Sequence, residues 1–406
     1  MSRDTFRVAI RKYTPFENAI QRAWAEFSAA EGISLTLQAD ALDLHPLYET
    51  LFDHNGLRHG EVDVAFIVTD WVAQCHERGD LLDLSAHLTN HPPQDYPHGW
   101  SESLLGMQQF DGQIYGVPYH DGPECLIYRK DLFENPSEQA AYRDQFGTDL
   151  RVPQTWAEFH QVAKFFTRPQ DNLYGTVFAA YPDGHNTVYD FCLQLWTRGG
   201  ELFDAQNKLQ LDTPKAVQAL EFYRKMLNDT RAVHPQCREF DSVKSGMAFA
   251  AGEVAMMINW FGFASMCETI PESKVKGKVD IGVIPSDPGI SGVSLNVYWM
   301  LSIGSGSPHA EIAYKFLRFC ASPAMDKALT LEGAIGCRKS TWADAEVNQT
   351  IPFYHRLSTL HENARALPRL SDWNERAKFI DELVLETINT DKPVADITRA
   401  IQAKLR

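Results

Sequence analysis

The chain lacks the motifs of several enzyme classes. It contains no Gly-x-Gly-x-x-Gly, no phosphate-binding Gly-Lys-Ser/Thr, no Gly-x-Ser-x-Gly and no His-Glu-x-x-His. Dinucleotide, nucleotide-hydrolysis, serine-esterase and zinc-peptidase chemistry therefore have no motif support. The histidines at His91 and His98 stand in a Pro-rich stretch without a carboxylate or thiolate cluster, which favours a solvated loop over a metal site. We expect neither a metal nor a cofactor.

Basic residues are scarce. Lys and Arg number 38 against 53 Asp and Glu, which gives a net charge of −15. Nucleic-acid phosphates and anionic lipid both require clustered positive charge, so neither is expected as a partner. No apolar run approaches the roughly 18–20 residues that span a bilayer. The charged start, Ser2 to Asp4, leads into a β-type run without an apolar signal region, so we expect an export signal either removed or never present.

Cysteine usage gives no sign of a disulfide framework. The count is odd, and no two cysteines form Cys-x-x-Cys. We expect buried, reduced thiols that behave as small apolar side chains. Such thiols are more usual in the cytosol than in an oxidising compartment, so the cellular location stays open. The seven positions are Cys75, Cys125, Cys192, Cys237, Cys267, Cys320 and Cys337.

The remaining composition is that of an ordinary globular protein. Hydrophobic residues make up 44% and charged residues 22% of the 406 positions. A chain of this length should contain two or more domains, since domains usually run to roughly 100–200 residues. The first segment predicts a strand at 6–10 and then a helix that Thr14 caps, with Pro15 at its first position and Glu17 completing a capping box.

Strands and helices alternate along the chain, which predicts an α/β fold with sheets covered on both faces. The run 62–68 has the apolar pattern of a core strand of a parallel sheet. Asp70 and Trp71 follow it directly, and Tyr13 follows the first strand. Ligands of such sheets bind beyond the carboxyl ends of the strands, where these three residues should lie.

Residues 114–133 are the most informative stretch. Two β-type runs, 114–119 and 124–129, flank a polar turn broken by Gly and Pro, and Lys130-Asp131-Leu132-Phe133 follows. This stretch resembles the segment at which bacterial extracellular solute-binding proteins of the maltose-binding protein type first cross between lobes. Three further segments match family signatures in the same order, and they are Thr155-Trp156-Ala157-Glu158-Phe159, Gly199 to Asp204 with Leu211 to Pro214, and Gly252 to Trp260.

The resemblance implies an α/β, two-lobed, periplasmic-binding-protein-like clamshell with its ligand cleft between the lobes. It places residues 1–117 plus 291–341 in the N-terminal lobe and 118–290 plus 342–406 in the C-terminal lobe. Crossings are expected near 115–121, 286–296 and 338–345. The implied protein is a monomer, not an enzyme, and lies in the periplasm or outside the cell. The reduced cysteines keep a cytoplasmic location as the alternative.

The implied function is ligand capture for an ABC importer. A carbohydrate (a sugar, an oligosaccharide or a sugar alcohol) would bind by hinge closure and pass to permease subunits in the membrane. The net acidity favours neutral sugars, sugar alcohols or cations over sugar acids. A sensor on the same fold, with a signalling partner instead of a permease, remains an alternative. So does a carbohydrate hydrolase that would use Asp70 with Asp121 or Glu124, because sequence spacing does not decide whether two carboxylates face each other.

Candidate ligand contacts combine aromatic rings with carboxylates and amides. A sugar presents an apolar face that an aromatic plane can cover and hydroxyls that polar side chains can bind. Trp24, Trp100, Trp156 and Trp342 are expected in the core, where most tryptophans lie, and Trp373 is as consistent with helix packing as with ligand contact. The predicted ligand-binding residues are Tyr13, Asp70, Trp71, Tyr119, Asp121, Glu124, Tyr181, Trp196, Asn259, Trp260, Asn296, Trp299, Arg338 and Arg369.

Overall fold

A computed structural model describes residues 4–290 and 292–405. The predicted lobe limits at residues 1, 291 and 406 lie outside the described residues. The strands are β1 (Thr5–Arg11), β2 (Thr36–Leu42), β3 (Val64–Val68), β4 (Gln109–Phe110), β5 (Gln113–Ile114), β6 (Val117–His120), β7 (Glu124–Arg129), β8 (Tyr174–Val177), β9 (Val254–Trp260), β10 (Val279–Gly282), β11 (Ser294–Leu295), β12 (Trp299–Ile303) and β13 (Ala364–Arg365).

Helices make up most of the remaining regular structure. The α-helices are α1 (Thr14–Glu31), α2 (Leu44–Tyr48), α3 (Val72–Arg78), α4 (Ser85–Asn90), α5 (Glu102–Met107), α6 (Lys130–Phe133), α7 (Pro136–Phe146), α8 (Trp156–Phe166), α9 (Asn186–Trp196), α10 (Pro214–Asn228), α11 (Ser242–Ala250), α12 (Phe261–Thr269), α13 (Ala310–Cys320), α14 (Pro323–Leu331), α15 (Lys339–Trp342), α16 (Ala345–Thr350), α17 (Leu357–Glu362), α18 (Trp373–Asn389) and α19 (Val394–Lys404). Short 3-10 helices span Thr69–Trp71, Pro169–Asp171, Cys237–Glu239 and Tyr354–Arg356, and a π-helical turn spans Glu49–Asp53. In the part of the chain that the structure describes, no helix has the length and apolar character needed to span a bilayer.

The chain divides into two compact units. Unit 1 contains the residues up to Gly122 together with Asn296–Glu362 and Ala366–Ser371. Unit 2 contains Pro123–Leu295, Asn363–Arg365 and the chain from Asp372 onward. The chain thus passes between the units at 122–123, where the predicted crossing was near 115–121. It passes again at 295–296, where the predicted crossing was near 286–296.

The third predicted crossing, near 338–345, is wrong. Residues 342–362 belong to unit 1, and the chain changes units between 362 and 372. The side chains of this segment account for the difference. Trp342 Nε1 donates to the Gly336 carbonyl, 2.9 Å away, and the Tyr354 hydroxyl accepts from the Gly336 amide at 2.8 Å. These buried bonds tie the segment to unit 1.

Unit 1 contains a five-stranded sheet of order β2-β1-β3-β12-β6. Strand β1 pairs in parallel with β2 and β3, whereas β12 pairs antiparallel with β3 and β6. The sheet around β3 is therefore mixed, and not purely parallel as the apolar run suggested. Every residue of β3 is buried. One face of α1 is buried, since Ile20, Ala23, Trp24 and Phe27 recur at helical spacing and are all buried.

The predicted cap of α1 is wrong. The residue at the N-cap is Tyr13, in an extended conformation, and its side chain makes no capping hydrogen bond. Thr14 is instead the first helical residue. The capping box appears at α8, where the Thr155 hydroxyl accepts from the Glu158 amide and Glu158 accepts from the Thr155 amide. A Thr before Pro thus marked the helix start to within one residue but not the cap.

Unit 2 contains a four-stranded sheet of order β10-β7-β9-β8. Strand β7 pairs antiparallel with β9 and β10, and β8 pairs in parallel with β9. The predicted strand 124–129 is confirmed as β7. All seven cysteines are buried and have free thiols, as predicted.

Candidate functional site

Five predicted site residues of unit 1 lie at one edge of its sheet. Strands β1, β3 and β6 all run in one direction and β12 runs in the other, so three carboxyl ends lie beside the start of β12. Tyr13, Asp70 and Asp121 follow the three parallel strands, while Asn296 and Trp299 flank the start of β12. This is the edge at which ligands of α/β sheets bind.

Asp121 is a buried carboxylate with one of its two oxygens hydrogen-bonded. Its residue is 3% exposed, and its Oδ2 lies 2.6 Å from Nε2 of His361. The other imidazole nitrogen, Nδ1, lies 3.0 Å from the hydroxyl of Ser103, and the ring stacks on Trp342 with centroids 4.8 Å apart. Oδ1 of Asp121 has no hydrogen-bond partner among the described residues. One oxygen is fixed, and the other can accept a hydrogen bond from a ligand.

Asn296 presents a whole amide without a partner. The residue is 1% exposed, and neither Nδ2 nor Oδ1 has a hydrogen-bond partner within residues 4–290 and 292–405. An unsatisfied buried donor or acceptor costs about 1–3 kcal/mol. Trp299, three residues on, stays partly exposed and packs edge-on against Trp71 with ring centroids 5.9 Å apart. The sheet edge therefore combines a carboxylate, an amide and an indole ring.

Two further predicted residues of unit 1, Tyr13 and Arg369, each donate one hydrogen bond to a backbone carbonyl. Tyr13 donates its hydroxyl to the Gly333 carbonyl at 3.0 Å, and burial raises its pKa to about 12. Arg369 donates Nη1 to the Gly106 carbonyl at 2.9 Å. Its Nε and Nη2 have no partner among the described residues, and burial lowers its pKa below the usual arginine value. Arg369 can therefore still donate to a ligand.

Trp71 and Tyr119 lie in the interior of unit 1. Trp71 is 2% exposed and packs against Tyr48 and Phe52, with centroids 5.4 Å away in both cases. Tyr119 is buried and packs edge-on against Phe66 at 5.1 Å. Both residues were predicted to contact ligand. Both rings are buried against other aromatic rings of unit 1, which favours a packing role for them.

Arg338 is used internally. Its guanidinium donates to the carbonyls of Gln94 and Ala321, forms an ion pair with Asp95 at 3.0 Å and lies 4.4 Å from the centroid of the Trp100 ring. These contacts pair both terminal nitrogens of a buried cation and join three segments of unit 1. We therefore leave Arg338, like Trp71 and Tyr119, out of the proposed site.

Two predicted residues of unit 2, Glu124 and Trp260, meet where β7 begins and β9 ends. Glu124 is the cross-strand partner of Trp260, so the two side chains share one face of the sheet. Trp260 is partly exposed, and its ring packs edge-on against Tyr189 of α9 at 5.6 Å. Glu124 is 5% exposed, and its Oε2 has no hydrogen-bond partner among the described residues.

A second carboxyl group accompanies Glu124. Asp190 of α9 accepts a hydrogen bond from the Tyr223 hydroxyl at 2.6 Å. Burial raises the pKa of Asp190 to about 7. Burial also raises the pKa of Glu124 well above its usual range, and the negative charge of Asp190 raises it further. Near neutral pH this part of unit 2 therefore holds carboxyl groups that resist ionisation.

The other predicted residues of unit 2 differ in how they are used. Asn259 is buried and fully bonded, since Nδ2 donates to the Ser242 carbonyl at 3.0 Å and the Ser245 hydroxyl at 3.1 Å, and Oδ1 accepts from the Trp260 amide at 2.8 Å. Tyr181 is 47% exposed, and the Lys244 ammonium lies 5.7 Å from its ring centroid.

Trp196 is buried under an arginine. The guanidinium of Arg365 lies 4.5 Å from the centroid of the Trp196 ring. The same guanidinium donates to both carboxylate oxygens of Glu201, at 3.1 and 2.6 Å. Trp196 thus has one face covered by a cation that is itself paired.

Several residues of these clusters were not predicted. His361 stands 240 positions from its partner Asp121, and Tyr189, Asp190 and Arg365 lie in segments without a family signature. The acidic and aromatic residues of α9 could have been noticed as a pair on one helix. Nothing local marks His361 or Arg365. The described residues hold no group of three or more histidine, cysteine, aspartate or glutamate side chains placed to bind a metal.

Known proteins resemble this chain in sequence. A probable ABC transporter-binding protein of Deinococcus radiodurans is 23% identical over 322 residues, which cover 77% of this chain and 71% of that protein. A mannitol-binding protein of Pseudomonas aeruginosa is 23% identical over 242 residues, or 58% of this chain and 52% of that protein. The chain thus spans about half to seven-tenths of these relatives.

Solved structures resemble it in fold. A solute-binding protein of Agrobacterium radiobacter K84 in complex with ribitol superposes with a TM-score of 0.86 at 24% identity, covering 99% of this chain and 98% of that one. A maltose-bound protein of T. maritima, MalE3, gives a TM-score of 0.83 at 22% identity with the same coverage. The predicted α/β fold of the maltose-binding protein type is confirmed.

The family model described as bacterial extracellular solute-binding protein matches residues 16–327, more than three-quarters of the chain. That family consists of binding proteins. The matched region includes Asp70, Asp121, Glu124, Trp260, Asn296 and Trp299. The chain belongs to the bacterial extracellular solute-binding protein family.

Proposed function

We propose that this protein is the solute-binding component of an ABC importer, and that it captures a carbohydrate, a sugar or a sugar alcohol, for delivery to a membrane permease. Family membership supports the binding role. The names of similar proteins support the ligand class, since they include a mannitol-binding protein and structures bound to ribitol and maltose.

Asn296 is the observation that carries the ligand class. A buried amide with an unpaired donor and an unpaired acceptor is costly in the ligand-free protein. A hydroxyl can donate to Oδ1 and accept from Nδ2, so a polyhydroxylated ligand matches both atoms. The free Oδ1 of Asp121 adds a charged acceptor at the same sheet edge, and hydrogen bonds to charged groups are worth about 1.5–3 kcal/mol.

Aromatic rings supply the other half of carbohydrate recognition. Trp299 in unit 1 and Trp260 in unit 2 are both partly exposed, and each lies beside a carboxyl group or an amide. An indole face covers the C–H face of a sugar or of an alditol chain, while the polar groups bind its hydroxyls. This combination requires no cofactor.

Capture by hinge closure stays a prediction. A ligand shifts a conformational equilibrium only through its differential affinity for the two states. We place the protein in the periplasm or outside the cell, as a monomer that contacts its permease transiently. Family membership supports the location and the permease contact, and the monomeric state stays a prediction.

A thermal-shift screen tests the function. The purified protein is heated with sugars, sugar alcohols, sugar acids, amino acids and polyamines. A ligand at 100 times its dissociation constant should raise the free energy of unfolding by about 2.7 kcal/mol. A carbohydrate that stabilises the protein and keeps its mass after hours of incubation supports the proposal. A carbohydrate that is cleaved, or stabilisation by amino acids alone, contradicts it.

A further inference from the structure

Among the described residues, no basic side chain is hydrogen-bonded to the acidic pair of unit 2, Glu124 and Asp190. In the part of the chain that the structure describes, Glu124 is buried with an unpartnered Oε2, and Asp190 accepts a hydrogen bond only from the neutral hydroxyl of Tyr223. The charged group that acts on Glu124 is Asp190, and the one that acts on Asp190 is Asp183. Both neighbours are acids, so each carboxyl group is kept from ionising by its surroundings.

Two cations of unit 2 are occupied elsewhere. Arg365 donates to both oxygens of Glu201 and covers Trp196. Lys244 lies over the ring of Tyr181 and donates to the Glu239 carbonyl at 3.2 Å. Other titratable neighbours are the thiols of Cys125 and Cys192, whose pKa values burial raises and Glu124 raises further, and Tyr223, on which both Asp190 and Arg238 act. No cation of the described part of the chain is hydrogen-bonded to either carboxyl group, so a bound cation can supply the positive charge.

Aromatic rings lie beside Glu124. Trp260 shares a sheet face with Glu124, and Tyr189 precedes Asp190 and packs against Trp260. An ammonium group gains from contact with aromatic faces as well as from carboxylates. A neutral hydroxyl gains much less from either. The unit 2 cluster, defined as Glu124, Asp190, Tyr189 and Trp260, has the components of a site for an organic cation.

We propose that the ligand carries a protonated amino group, as an amino sugar or an amino alditol does, and that Glu124 and Asp190 bind this group beside Tyr189 and Trp260. The inference rests on the proposed function and names the ligand class of its site. Binding converts a carboxylic acid beside the ammonium into a carboxylate. Its proton passes to the buffer, so the charge balance is complete. The raised pKa values of both carboxyl groups agree with this exchange.

Matched ligands test the proposal. Glucamine and sorbitol share one carbon chain and differ by an ammonium in place of a hydroxyl, and glucosamine and glucose form a second pair. Calorimetric titration should show the amine of at least one pair binding about 10-fold to 150-fold more tightly, as expected for a hydrogen bond to a charged group. Glu124→Gln and Asp190→Asn should each reduce this preference. Glu221→Gln on the exposed side of α10 makes the same change in net charge and should leave the preference unchanged.

Proton release provides a readout that needs no variant. Titration of the wild-type protein with the amine near pH 6.5, in two buffers of different ionisation enthalpy, should give heats that differ by the release of up to one proton. Buffer-independent heats overturn the inference even if a variant fails to fold.

The two proposals fail in different ways. Equal or tighter binding of the neutral partner, or binding only of other neutral carbohydrates from the screen, overturns the inference and leaves the proposed function standing. An amine preference that survives in both variants overturns the role of the acidic pair. If no carbohydrate binds, whether amino or neutral, both proposals are overturned.

Discussion

Replacing Asn296 with leucine should stabilise the ligand-free protein and weaken ligand binding at the same time. The wild-type side chain is 1% exposed and has an unpaired donor and an unpaired acceptor among the described residues. Leucine has nearly the same shape but no polar atoms, so it removes the unsatisfied groups without a large cavity. A variant that only broke structural contacts would lower stability.

The magnitudes follow from the cost of buried polar atoms. Each unsatisfied atom costs about 1–3 kcal/mol, and we take one such penalty as the net gain because the new side chain must still pack. The midpoint of thermal unfolding should then rise by about 2–6 °C. Loss of two hydrogen bonds to the ligand, at about 0.5–1.5 kcal/mol each, should raise its dissociation constant about 5-fold to 150-fold.

Asn259→Leu provides the matched control. Asn259 is also a buried asparagine, but its amide makes hydrogen bonds of 2.8, 3.0 and 3.1 Å within unit 2. Removing them leaves the Trp260 amide without its acceptor, so this variant should lose at least about 2 kcal/mol of stability. Thermal and urea unfolding, with and without the ligand found in the screen, measure both effects. Destabilisation of Asn296→Leu with unchanged ligand affinity would refute the reasoning.

Three other predictions follow from the same clusters. Trp71→Ala should lower the free energy of unfolding by about 3–5 kcal/mol because its ring is in the core, whereas Trp260→Ala should cost far less stability and weaken ligand binding, as unfolding curves and titrations would show. Asp121→Asn should weaken binding about 10-fold or more through loss of a charged acceptor, and unchanged affinity would remove it from the site. Asp190→Asn should become more stable relative to the wild type as the pH rises from about 4 to 7, by about 2–4 kcal/mol after allowance for the partial exposure of the side chain. The reason is that the folded-state pKa of Asp190 is raised to about 7, so over this range the carboxyl group ionises in the unfolded wild type but not in the folded one. A difference that is flat with pH would contradict the raised pKa.

Local patterns predicted the sheet-edge residues well. A strand followed at once by polar and aromatic residues indicated the positions of Tyr13 and Asp70, and the strand at 124–129 indicated that of Glu124. These predictions need only the direction of neighbouring strands. The direction in which a side chain points depends on tertiary packing, which these patterns do not contain. Trp71, one position beyond Asp70, packs in the core against Tyr48 and Phe52.

The partners that a residue finds far away along the chain could not be predicted from the sequence. Arg338 follows a glycine-rich stretch, but its use depends on the carbonyls of Gln94 and Ala321. His361 reaches Asp121 only because residues 342–362 belong to unit 1, which local periodicity does not reveal. Contacts between residues hundreds of positions apart depend on packing, and no local pattern encodes them.

Calorimetric titration of the wild-type protein with the strongest carbohydrate of the screen is the most direct test of the proposed function. We predict saturable binding of one ligand per chain with a dissociation constant in the micromolar range or below, or about −8 kcal/mol, and recovery of the ligand with its mass unchanged. The absence of saturable heat with every neutral and amino carbohydrate, or recovery of a cleaved ligand, would contradict the account.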